Sequence, residues 1–170
     1  MNSLSSPEEL QALLNLQPHP TCGWVAMSFV DSESIAPGGL PEPFDSGRAL
    51  GSALYFMVTP DRPVHLHCIH NDQLYHRYLG FPLEILLLHP DGTHSIETMG
   101  EDLAQGQHLQ LLIPGNTFHT ARVRGGEWFL GASTEWPGVD PTDVVVGDPV
   151  ELAKRFPDAA ALISEFTAAQ

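Results

Sequence analysis

A chain of 170 residues, 42% of them apolar, has the length of one domain and enough apolar side chains for a sizeable core. Twenty-one acidic against seven basic side chains give a formal charge of −14, which repels phosphate backbones and anionic lipid and argues against nucleic acid and membranes as partners. Cys22 and Cys68 make no disulfide framework, MNSLSSPEEL lacks the basic and apolar regions of a signal peptide, and no apolar run approaches a membrane span, so the expectation is a cytoplasmic protein.

In chain order, Ser6-Pro7-Glu8-Glu9 is a helix start, with Ser6 as N-cap and Glu9 closing a capping box. Leu10, Leu13 and Leu14 follow at helical spacing, and the prolines at 18 and 20 limit the element to about 6–16. Strands are predicted over Trp24–Val30, Ser52–Val58, Val64–Cys68, Leu74–Tyr78, Leu83–Leu88, Thr93–Met99, His108–Ile113, Thr117–Val123 and Glu127–Ser133, about nine in a row with turn chemistry between them. Asp31–Arg48, rich in Ser, Pro and Gly, reads as a loop of a length that is uncommon unless functional or mobile. Leu83–Leu88 is nearly all apolar, which predicts a strand buried on both faces. Asp148-Pro149-Val150-Glu151 begins C-terminal helices over about 148–168, split at Pro157. The whole is all-β: a sandwich or jelly-roll barrel over about 22–146, in a single domain spanning 1–170.

The chemistry concentrates between Val64 and Gly80, where His65, His67, His70 and His76 stand with Asp72 and Gln73. Residues two apart on a strand share a face, so His65 and His67 are expected to project together, and Gln73, Tyr75 and Arg77 likewise on the next strand. His119 follows the Pro114-Gly115-Asn116 turn and is placed to approach from a neighbouring strand. Imidazoles suit Zn, Fe, Ni or Mn, so His65, His67, Gln73 and His119 are the candidate metal set, although a neutral amide is a poorer ligand than a carboxylate. Asp72 supplies a carboxylate instead only if its bend turns it inward. His70 and His89 sit in a bend and a turn and read as solvated, His19 as a brace, and His76 faces away from Gln73.

The pattern resembles the two motifs of the cupin superfamily, small jelly-roll barrels that often bind a metal in the barrel mouth. His65-Leu66-His67 matches the first motif, with Gln73 in the Glu position because six residues separate it from Gly80. Pro114 to His119 matches the second, except that Asn116 replaces Gly. A closer similarity, to cupin family five, runs from Leu10 to Phe166 through SALYFMVTP, LHCIHNDQLYHRYLGFPLEI and WPGVDPTDVVVGD. That resemblance implies a cupin jelly-roll with short terminal helices, a fold like that of sugar-nucleotide epimerases, and a homodimer with a pocket in each barrel. Trp24 stands where the family typically has Tyr, at the start of the barrel, and is taken as ligand-binding with Gln73 and Arg77.

The leading expectation is a cupin that binds a small sugar-like or hydroxy-acid metabolite and acts as an isomerase, epimerase or lyase. His67 and His119 serve as acid–base groups with or without a divalent metal, Tyr75 supplies a proton, and Arg77 pairs with an anionic group. A non-catalytic sensing cupin and a metal-dependent oxygenase are the alternatives.

Overall fold

The computed structural model describes residues 6–168, so residues 1–5 of the stretch weighed as a signal peptide lie outside the described residues. Ser6 caps helix α1 (Pro7–Leu14), its hydroxyl accepting from the Glu9 amide while the Glu9 carboxylate returns to the Ser6 amide. The helix stops before the prolines because Asn15 turns left-handed at φ 53°. At the other end Asp148 accepts from the amides of Val150 and Glu151 and caps α2 (Pro149–Arg155). A short 3₁₀ turn begins at Pro157 and leads into α3 (Ala160–Thr167).

Thirteen strands lie among the described residues: β1 (Gln17–Pro18), β2 (Trp24–Val30), β3 (Ser34–Ile35), β4 (Arg48–Ala49), β5 (Ser52–Val58), β6 (Val64–Ile69), β7 (Asp72–Gly80), β8 (Leu83–Leu88), β9 (His94–Met99), β10 (Gln110–Ile113), β11 (Phe118–Val123), β12 (Phe129–Trp136) and β13 (Val144–Val146). They form a six-stranded sheet, β1-β2-β5-β12-β7-β10, facing a five-stranded sheet, β13-β6-β11-β8-β9, with the β3–β4 pair apart. The ladders are antiparallel, as a jelly-roll requires. The four strands absent from the sequence reading are two or three residues long, too short to show a period. The Asp31–Arg48 segment is otherwise loop and is tied down by a buried ion pair, Arg48 Nη2 to Asp143 Oδ1 at 2.7 Å.

Three apolar clusters explain the layering. Phe56, Val64, Tyr75, Ile85, Leu87, Ala121 and Phe129 fill the lumen between the sheets. Leu66, Leu86 and Leu88 point the other way, under Leu152, Phe156, Ile163 and Phe166 of the C-terminal helices. This is why Leu83–Leu88 is apolar on both faces: one side lines the lumen and the other carries the helices. Against the other sheet, Leu10, Leu14 and Leu16 cover Met57, Trp128 and Leu130. Gly80 ends β7 at φ 89°, where a Cβ would stand 2.4 Å from the Trp128 carbonyl oxygen, so no other residue fits. Among the described residues no helix is long and apolar enough to cross a membrane.

Truncation of Phe156, buried between the helices and β6–β8, is expected to cost about 3–5 kcal/mol, against under about 0.5 kcal/mol for Ala at the exposed Leu13. Urea unfolding of the two variants checks this, and equal losses would contradict the assignment of the C-terminal helices to the core.

Candidate functional site

His67 on β6 and His119 on β11 are cross-strand partners, and their rings meet inside the barrel with centroids 4.4 Å apart. Both are buried, at 2% and 0% exposure. His119 is delivered by a turn in which Asn116 sits at φ 63°; Asn is the non-glycine residue that tolerates this conformation best, which accounts for its place in the second motif. The Gly115 amide donates to Asp72 Oδ1 at 2.7 Å, and the Asn116 amide to the Ile69 carbonyl at 2.8 Å, so the turn is fastened to the β6–β7 bend.

The hydrogen bonds fix the tautomers. His67 Nδ1–H donates to the His65 carbonyl at 2.7 Å and His119 Nδ1–H to the Thr117 carbonyl at 3.3 Å, since a carbonyl only accepts. Each ring therefore turns a bare Nε2 inward. Tyr75 Oη–H donates to His119 Nε2 at 3.1 Å, and the Cys22 thiol lies 3.8 Å from His67 Nε2. Burial lowers the proton affinity of both rings, His119 well below the ordinary imidazole value, with the neighbouring His67 adding to the effect. Burial likewise raises the Tyr75 hydroxyl well above its usual range, with Cys22 and Glu135 reinforcing it. The trio is held neutral, with two proton acceptors and one firm donor.

Of the four residues the sequence proposes for a site, His67, His119 and Tyr75 come into contact, and Gln73 lies two residues from Tyr75 on the same face of β7. Gln73 is 6% exposed, and its amide reaches Ser133 Oγ at 3.5 Å. His65 does not join them. Between the pairs His119–His67 and Ala121–Val64, β11 spends one residue and β6 spends two, so strict alternation fails. Val64 and His67 both face the lumen, Leu66 faces the helices, and the half-buried His65 contributes its carbonyl rather than its ring. Arg77 is also turned away: its guanidinium pairs with Glu101 at 2.9 Å and the Gly80 carbonyl at 2.8 Å. Trp24 packs in the outer cluster with Leu10 and Leu16, beneath Arg62 at 4.9 Å. Asp72 is occupied by the Gly115 amide, and His76 bonds Thr134 and Gln110 away from the lumen. His19 does act as a brace, its Nδ1 accepting from the Thr21 and Cys22 amides and so holding the thiol beside His67.

Sequence reasoning missed Glu135. It faces Gln73 and Ser52 across β12, is 1% exposed, and accepts from Ser52 Oγ at 2.8 Å and from Ser133 Oγ. Burial raises its carboxyl above the ordinary value, against the pull of Ser133, Ser52 and Gln73. Two further buried oxygens near this end, Asn71 Oδ1 and Thr117 Oγ1, have no partner among the described residues. A cleft of about 420 Å³ lined by Ser34, Arg48, Ser52, Val139 and Asp140 abuts the same end at Ser52.

The expected divalent metal, Zn, Fe, Ni or Mn on His65, His67, Gln73 and His119, does not fit these residues as they stand. Among the described residues no three His, Cys, Asp or Glu side chains converge as a metal site requires. One imidazole is turned out, the amide is bonded to a serine, and the remaining Nε2 atoms face a hydroxyl and a thiol.

A family profile described as the cupin superfamily (DUF985) matches residues 8–146. Among solved structures, a hypothetical protein from Leishmania major superposes with a TM-score of 0.85 at 21% identity, covering 95% of this chain and 98% of that one. A protein from Shewanella oneidensis gives 0.83 at 21% identity, over 96% and 98%. An oxalate decarboxylase from Lactobacillus farciminis, in a formate complex, gives 0.53 at 12% identity over 91% of this chain and 42% of its own length. At these identities the likeness is one of fold. No curated protein matches the chain.

Both imidazoles resist protonation in the folded state, so the unfolded chain binds more protons as pH falls below the ordinary imidazole value of 6.5. Their contribution to stability is complete above that pH and is lost as pH falls through it towards the lowered folded pKa. Glu135, raised from 4.5, acts in the opposite sense, favouring the folded state at low pH and losing that contribution as pH rises through its folded value. The melting temperature should therefore drop between about pH 7.5 and 5.5, and His119→Gln should flatten the drop. An equally steep profile in the variant would remove His119 from the account.

Proposed function

Because this chain belongs to the DUF985 family of the cupin superfamily, we propose that the polar end of its barrel binds a small polar metabolite, of sugar or hydroxy-acid type, and moves a proton on it as an isomerase, epimerase or lyase does. The observation that carries this reading is the Tyr75–His119 hydrogen bond of 3.1 Å, with the Nδ1 atoms of His119 and His67 tied to carbonyls. A carbon acid next to a carbonyl needs a neutral base in a site shielded from water, and a donor to stabilise the developing oxyanion. His119 Nε2 is that base once a substrate hydroxyl or carbonyl takes over the Tyr75 hydroxyl. Tyr75, which keeps its proton, serves as the hydrogen-bond donor that stabilises the oxyanion. His67, in ring contact with His119, gives a second acceptor on the same wall.

A non-catalytic metabolite-binding cupin is the second reading, favoured by Gln73 in the Glu position and by the contacts the imidazole Nε2 atoms already make. The oxygenase alternative wants two His and a carboxylate on one metal, a group not found among the described residues.

Solvent-deuterium exchange separates the first two. Sugars and hydroxy acids that raise the melting temperature would be incubated in D₂O and followed by NMR at the carbon beside the carbonyl. Tyr75→Phe should slow exchange by about 10²–10⁴-fold and His119→Gln abolish it, with binding kept in both. Binding without exchange in the wild-type protein would favour the sensor, and exchange untouched by His119→Gln would discard it as base.

The homodimer belongs to the same proposal. β2 is paired with β1 only at Trp24 and Val25, and beyond them Met27, Phe29 and Val30 are exposed at 52%, 54% and 54%. An open edge bearing three adjacent apolar side chains is an association surface. Light scattering should give twice the 18.5 kDa chain mass, and Phe29→Glu should return the monomer; a monomeric wild type would refute the assignment.

A further inference from the structure

The carboxylate that the first motif lacks at Gln73 stands directly across the ladder, at Glu135. Two serine hydroxyls donate to it. The Val139 amide donates to Ser52 Oγ at 3.1 Å, and Ser52 Oγ donates on to one Glu135 oxygen. The Gln73 amide points to Ser133 Oγ, and Ser133 Oγ donates to the other oxygen. Two donor chains thus end on one carboxyl, each oxygen of which has a second lone pair. Among the described residues no cation pairs with it.

The basic side chains are committed elsewhere. Of the seven in the chain, Arg77, Arg122, Arg124 and Lys154 pair with Glu101, Glu84, Glu165 or Glu151, while Arg62 and Arg155 lie over Trp24 and Phe156. Arg48 alone comes near, lining the cleft beside Ser52, and both oxygens of Asp143 hold it. An acidic ligand at this end would face a buried carboxylate with no cation free to receive it, which costs several-fold to many-fold in affinity.

We propose that Glu135 is the specificity-determining residue of the polar end, where it recognises a positively charged nitrogen and selects amino-bearing metabolites over neutral and acidic ones. The inference rests on reading that end as a metabolite site, and it narrows the class: an amino sugar or similar amine in place of a hydroxy acid. It gives the carboxylate of the motif a new address, one strand away, with Gln73 kept as a link in its donor chain.

Three monosaccharides matched in size and differing in charge, glucosamine, glucose and glucuronate, serve as probes by calorimetric titration near neutral pH. Wild-type protein should bind glucosamine at least about tenfold more tightly than glucuronate, with glucose between. Glu135→Gln, which preserves shape, should bring the three within about twofold of one another. The exchanged pair Gln73→Glu/Glu135→Gln should restore the preference by returning the charge to the neighbouring strand, and it covers the case in which Glu135→Gln folds poorly. An unchanged ranking in Glu135→Gln, glucuronate binding as well as glucosamine to the wild type, or no binding by any of the three overturns the inference. Failure of the proton-transfer reading is separate: it appears as deuterium exchange that survives His119→Gln, whatever the charge ranking.

Discussion

Two imidazoles stay neutral inside an apolar barrel only while their ring nitrogens have somewhere to go, and that constraint organises much of what surrounds them. A buried polar atom left without a partner costs about 1–3 kcal/mol, so the backbone must bring carbonyls to the rings. For His119 this is done by the Pro114-Gly115-Asn116 turn, fastened through Asp72 and Ile69 to the bend between β6 and β7. For His67 it is done by β6 itself, which departs from regular alternation to present the His65 carbonyl. The inward Nε2 atoms are what remains, and the chemistry of the site follows from them.

The barrel that sets these distances is held from outside as much as from within. The C-terminal helices cover β6, β8 and β11 through Leu66, Leu86, Leu88 and Phe118, with Arg122 of β11 lying over Phe166, and α1 covers the opposite sheet. Rigid placement of a few polar groups by a two-sided apolar wall is how small barrels make sites without giving up their cores. The acidic surface has its own pattern: the few basic side chains are spent on acidic partners or on aromatic rings, Arg48 on the buried Asp143 and Arg122 and Arg124 on Glu84. The site is left with histidine, tyrosine, amide, hydroxyl and the Glu135 carboxyl.

The long strands and both helix starts were legible in the sequence because each rests on local rules: period two, a capping residue, a proline at a boundary. Leu83–Leu88 was read correctly down to its two buried faces. His67, Gln73 and His119 were legible because the cupin motifs name their positions, and Tyr75 because it alternates with Gln73. The errors lie in what a strand read alone does not show: its register against a partner, an ion partner distant in sequence, and where it ends. The extra residue in β6 put His65 out of step with His67. Arg77 shares the face of Gln73 and Tyr75 on paper but is captured by Glu101, far off in sequence. Ending the last long strand at Ser133, three residues before Trp136, hid Glu135, although Phe129, Ser133 and Glu135 share one parity.

The irregularity in β6 also bears on how such a chain drifts over generations. Opposite the single residue Thr120, β6 carries two, His65 and Leu66, so the strand is one residue longer than its partner needs. The first of the two, His65, acts through its backbone: its carbonyl holds His67 Nδ1 and its amide reaches the Thr21 carbonyl. The ring of the first histidine of His-x-His is therefore the expendable part of the pair, open to replacement while the backbone stays, and the second histidine is pinned by the ring it meets across the strands.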